Sequence, residues 1–247
     1  MDTLSHGSSF LLPAYPRRHQ LLGNLAYHVL NRGNARQVVF HDEEDYRKFE
    51  GILREYRKRA GIRIYHWALL PDRFHFVLEI EEPERLSKVM AGIQRAYVHY
   101  HHRRHDSIGF LWQGRFRSQP VEKGAFLAAC GRFMERSCTP SREARPWDWA
   151  HSSAPFYAIG KPDTLTDASP VYATLGPTFE DRRIRYQEFL LEADAGKDEA
   201  LFQSATGVAG SEAFRHRLVR KQGRLIARRR GRAPSTPVPS PDPVPGA

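Results

Sequence analysis

The sequence predicts an α+β fold: a ferredoxin-like, split βαβ antiparallel sheet with helices on one face and a helical C-terminal extension. Three observations carry this. Apolar, β-prone runs alternate with charged segments of helical period in the order β-α-β-β-α-β-α. Turn and stop residues (Gly33-Asn34, Gly61, Pro71-Asp72) fall between the elements. Finally, 40% of the 247 residues are hydrophobic, enough to bury a core.

The elements follow in order. Residues 1–20 read as a flexible lead-in. The run LAYHVLNRGN is apolar and β-prone and stops at Gly33-Asn34. HDEEDYRKFEGILREYRKRAG reads as a helix, with Asp42 as N-cap, acids in the first turn and bases in the last before Gly61. The strands IRIYHWALL and RFHFVLEIE are joined by the Pro71-Asp72 turn. EEPERLSKVMAGIQRAYVHYHHRRH is a second amphipathic helix with Pro83 in its first turn. GFLWQGRFRSQPVE is an aromatic, basic loop leading into a short strand, and GAFLAACGRFMERS is a third helix. The pattern breaks near residue 140, dividing a domain over 21–140 from a basic helical extension over 141–232. The Pro-rich residues 233–247 complete the chain as a disordered tail.

Charge narrows the function. Lys and Arg total 38 against 28 acidic residues, a net +10 that favours a polyanionic partner. Two cysteines, Cys130 and Cys138, exclude a disulfide scaffold and fit a reducing cytoplasm. No apolar run approaches the ~20 residues of a membrane span, and the N-terminus does not read as a signal peptide. The expected place is the cytoplasm, associated with the nucleoid.

Several segments together resemble the REP-associated tyrosine transposase family, whose members are single-tyrosine, HUH-type proteins. They are HVLNRGNARQVVFHDEEDYRKF, the hairpin LLPDRFHFVLE, the loop FLWQGRFRS, the helix VEKGAFLAACGRFMERS, and the later RPWDWAHSS and GSEAF segments. The resemblance spans about residues 20–232. It implies that residues 21–140 form a DNA-binding domain that grips imperfect palindromic hairpins. In the family, two histidines on one strand face bind a divalent metal, Mg²⁺ or Mn²⁺, and a helix-borne tyrosine attacks the scissile phosphate. Here Arg73 stands at the first histidine and His75 at the second. Phe133 stands at the tyrosine and Ser137 at the extra ligand. Phenylalanine has no hydroxyl to attack with, and a guanidinium cannot ligate a cation. The resemblance therefore implies a transposase fold with no bound metal and no chemistry.

Candidate substitutes are His66, diagonal to His75 across the hairpin, and the rival nucleophiles Tyr97 and Tyr100. The expected DNA contacts are Arg32, Arg73, Arg95, Arg103, Arg104, Trp112, Arg115 and Arg117. Among them Arg73 could offer a fork to a phosphate, and the WQGRFR loop interleaves stacking planes with bases. The histidine run YVHYHHRRH shows no regular metal spacing, so no zinc site is expected there. RLVRKQGRLIARRRGR reads as an electrostatic arm. Three functions follow: a binding-only descendant that holds single-stranded or hairpin DNA, an active nickase using displaced residues, or an interaction protein without DNA affinity. A homodimer is compatible with the sequence.

Overall fold

The computed structural model describes residues 25–139, 143–192, 198 and 207–222. The lead-in, the Pro-rich tail and the basic arm from residue 223 onward lie outside them.

The core unit is a four-stranded antiparallel sheet of order β2-β3-β1-β4. Its strands are β1 (Ala26–Arg32), β2 (Ile62–Leu70), β3 (Arg73–Ile80) and β4 (Arg117–Val121). Helix α1 (Glu43–Ala60) links β1 to β2, and α2 (Leu86–Arg104) links β3 to β4. This is the split βαβ arrangement that the order of elements predicted.

Local chemistry sets the helix ends. The Asp42 carboxylate accepts from the backbone N–H groups of Glu44 (3.0 Å) and Asp45 (3.2 Å), satisfying donors that the first turn leaves open. Gly61 closes α1 at φ 62°, a left-handed position that costs a side-chain-bearing residue more than glycine. Tyr46, Phe49 and Leu53 recur at helical spacing and enter the core.

The sheet buries both faces. On one, Tyr27, Val29, Trp67, Phe74, Phe76 and Leu78 pack against α1 and α2. On the other, Ala26, Ala68, Val77 and Val121 meet helix α3 (Ala125–Arg136) through Leu127, Cys130 and Met134. The two helices of the split βαβ unit thus share a face as expected, while the third crosses to the opposite one. Small residues permit its approach: a Cβ on Gly131 would sit 2.4 Å from the His66 ring.

Residues beyond 143 close the sheet edges. Leu69 N–H donates to His151 O, and Ser153 N–H donates to Trp67 O, each at 2.9 Å, so the segment ahead of α4 (Ala154–Ile159) lies along β2. Asp167 accepts from Ile64 N–H (2.8 Å), and its own N–H donates to Ile64 O (2.7 Å). Helix α5 (Phe179–Leu191) packs behind α4 through Tyr186 and Phe189. At the opposite edge Ala209 N–H donates to Pro120 O (2.9 Å) and Glu122 N–H to Ala209 O (2.8 Å), ahead of α6 (Glu212–Gln222). Covering both edges removes the unpaired backbone that invites strand addition. No helix among the described residues is long and apolar enough to cross a membrane.

Candidate nucleic-acid interface

The sequence-derived site residues converge in one cleft of about 290 Å³ between the end of the sheet and the C-terminal half of α3. Arg73, His75, Phe133 and Ser137 line it together with Arg32, Arg115 and Arg117. Strand register puts them there. Leu30 pairs with both His75 on β3 and Arg117 on β4, and Arg32 pairs directly with Arg73. Phe133 meets the His75 ring edge-on, with centroids 6.4 Å apart. The Ser137 hydroxyl donates to Phe133 O (2.6 Å), capping the last turn of α3.

The cleft also holds a histidine that motif reading overlooked. His28 lies on β1, diagonal to His75, and its Nε2 is 3.0 Å from His75 Nδ1 with the rings stacked. Burial pulls the His28 pKa down to about 3. Burial, then the neighbouring His28 and Arg73, lowers that of His75 well below the ordinary value. Both imidazoles are therefore neutral at pH 7, one donating and one accepting. A single histidine in a strand that otherwise reads as plain β offers no spacing signal, so only register reveals it.

Positive charge is concentrated at the mouth. Arg32 and Arg73 stand directly opposite each other, a pairing that ordinarily destabilises a sheet. Burial, and then repulsion from Arg117, Arg36 and Arg73, lowers the pKa of Arg32. Gln113 accepts from the Arg32 guanidinium, and Asp72 holds Arg73 in a fork of two bonds at 2.7 and 2.9 Å. The fork imagined for a phosphate at Arg73 is thus already engaged by Asp72. Beneath the arginines Asn31 anchors the loop, donating to Gln94 Oε1 (2.7 Å) and Gly114 O (3.0 Å).

Other expectations are corrected. Trp112 is a core residue, only 7% exposed, packed among Phe49, Phe74 and Tyr97, so it offers no stacking face to a base. Phe110, 84% exposed, is the aromatic of the same loop that faces outward. Arg104 is paired with Asp42, Glu44 and Asp45, and its hydrogen bonds to Asp42 and Asp45 raise its pKa. Arg95 and Arg103 are exposed on α2, outside the cleft. His66 does not pair with His75: its Nδ1 meets the buried Glu135 carboxylate at 3.0 Å. Tyr97 is buried with its hydroxyl donating to Val39 O (2.8 Å), and Tyr100 donates to Glu44 (3.3 Å). Burial raises both tyrosine pKa values, that of Tyr100 to about 12. Neither is poised as a nucleophile, and neither lines the cleft.

The divalent metal implied by the resembled family does not fit these residues. The two imidazoles are bonded to each other, four guanidinium groups line the cleft with them, and among the described residues no carboxylate does. Such a set repels a cation and suits an anion.

Comparison with known proteins agrees with the fold. Residues 22–132 match the model of the family described as "Transposase IS200 like". The chain shares its fold with a REP-associated tyrosine transposase solved bound to a REP hairpin. That match has a TM-score of 0.50 at 15% identity, covering 64% of this chain and 93% of the other. A Deinococcus radiodurans R1 crystal structure described as a transposase matches less closely, with a TM-score of 0.34 at 19% identity over 43% of this chain and 86% of that one. No curated protein sequence matches.

Proposed function

We propose that the chain binds single-stranded or hairpin DNA, such as REP-type palindromes, in the arginine cleft and does not cut it. The observation that carries this reading is the composition of the cleft: four arginines, two neutral imidazoles and Phe133, with no carboxylate among the described residues. A phosphate seated between Arg32 and Arg117 would relieve the cross-strand repulsion and release counterions. The exposed Phe110 ring, on the loop that carries Arg115, would stack on an unpaired base. Chemistry is absent in this reading because the position facing His75 is a phenylalanine and the donor set does not hold a divalent cation. Such a protein would act on the nucleoid as a regulator or accessory factor.

The test is a paired assay on labelled hairpin DNA with Mg²⁺, with Mn²⁺ and with EDTA. The expected result is salt-sensitive binding that is equal in all three, with no cleaved strand and no covalent protein–DNA adduct. A metal-dependent adduct would overturn the proposal, as would the absence of binding at low salt.

A further inference from the structure

A second histidine cluster lies on the far side of the sheet from the cleft. His41 precedes α1, and His101 and His105 stand four residues apart on one face of the end of α2. Each ring offers a nitrogen within 4.8 Å of the other two. The centroids of His41 and His105 are 4.5 Å apart, and those of His101 and His105 are 4.6 Å apart. The histidine run was expected to lack metal spacing. The four-residue step within it, completed by His41 from a distant segment, supplies that spacing.

Two further observations point to a ligand. His101 is only 4% exposed, and its Nε2 meets no hydrogen-bond partner among the described residues, although its Nδ1 lies 3.1 Å from Ser107 Oγ. Leaving a buried imidazole nitrogen unpaired is costly unless something coordinates it. The second observation is Asp45, fully buried, whose carboxylate lies 3.0 Å from His105 Nε2 and accepts from His41 N–H at 2.8 Å. A carboxylate behind an imidazole is the usual partner that orients a metal-binding histidine. Arg104 bonds the same carboxylate at 2.6 Å and offsets part of its charge. Imidazole nitrogens favour zinc, copper, nickel and cobalt over magnesium.

We propose that His41, His101 and His105 form a site for a divalent transition-metal ion of the zinc class, tying the end of α2 to the chain entering α1. Binding would draw the three ring nitrogens, which lie within 4.8 Å of one another, to the ~2.0–2.1 Å that zinc takes with imidazole, with a fourth position open to water. The site is structural and independent of the DNA cleft.

The test is titration of tag-free, metal-stripped full-length protein with Co²⁺, followed by its visible absorption, and with Zn²⁺ by calorimetry. One ion per chain is expected, with the intense absorption of low-coordinate cobalt, and Zn²⁺ should raise Tm. His41→Ala, exposed and therefore safe for folding, and His105→Ala should each weaken binding tenfold or more, while His75→Ala leaves it unchanged. Circular dichroism would confirm that each variant is folded. Absence of binding, affinity unaltered in both His41→Ala and His105→Ala, or loss confined to His75→Ala would overturn the proposal.

Discussion

Two histidines on the sheet surface beneath α3 meet opposite surroundings. His66 is closed in: Glu135, fully buried, receives its Nδ1 at 3.0 Å, the Ser153 hydroxyl at 2.6 Å and the Tyr186 hydroxyl at 2.7 Å. That single carboxylate joins β2, α3, the start of α4 and α5. His75 has no carboxylate; its neighbours are a second neutral imidazole, an aromatic edge and a ring of arginines. Helix α3 sorts the two regions itself, sending Glu135 to one and Phe133 and Ser137 to the other. A satisfied buried network specifies the packing, whereas positive charge held at the mouth of an open cleft is available to an anion. The first region holds the fold, and the second is the one proposed to take DNA.

The largest effect should come from breaking the closed region. Glu135→Ala removes the acceptor shared by three buried donors and is expected to cost about 3–5 kcal/mol, read as a lower urea midpoint. An unchanged midpoint would mean that the extension is held by its apolar contacts alone.

Proton linkage separates two histidine environments by sign. His28 is held neutral, with its pKa pulled to about 3, so the unfolded chain takes up a proton that the folded one refuses. Stability should therefore fall as pH drops from about 6.5 towards 3, and His28→Gln should flatten that limb. His151 behaves in reverse. Burial opposes its charge, but hydrogen bonds to Glu50 and Glu43 prevail and raise its pKa. Its contribution is full below about 6.5 and is lost as pH rises through the raised folded value. His151→Gln should thus cost more at pH 5 than at pH 9, and urea titrations across pH would read both signs.

The smallest effect is expected from restoring one missing group. Phe133→Tyr returns a hydroxyl to the cleft but leaves the guanidinium of Arg73 and the His28–His75 bond in place. No strand cleavage should follow on a denaturing gel. Cleavage by this variant would mean that Phe133 alone had silenced the site.

The elements, their order along the chain and the caps of α1 were legible because turn residues and helical periodicity are local signals: Asp42, Gly61 and Pro71-Asp72 act where the sequence places them. The placement of α3 was not, since helical period alone does not say which sheet face a helix will cover. The cleft was half legible. Arg73, His75, Phe133 and Ser137 were found through the family resemblance, and register brings them together. His28 escaped because its partner lies 47 residues away. Trp112 and Arg104 misled for a related reason: an aromatic in a basic loop and an arginine at a helix end look exposed until the core and the Asp42–Asp45 turn claim them. The histidine triad needed both a helical step and a side chain from the approach to α1, and only the first is written in the run itself.

The central claim is that the cleft arginines meet DNA phosphates. It is tested most directly by the salt dependence of hairpin binding in the wild type and in the Arg32→Ala/Arg115→Ala/Arg117→Ala variant. The predicted result is weaker binding and a log–log salt slope shallower by roughly 2–3, about 0.7–0.9 for each phosphate that the variant no longer neutralises. An unchanged slope in a folded variant would contradict the claim and place the DNA elsewhere on the protein.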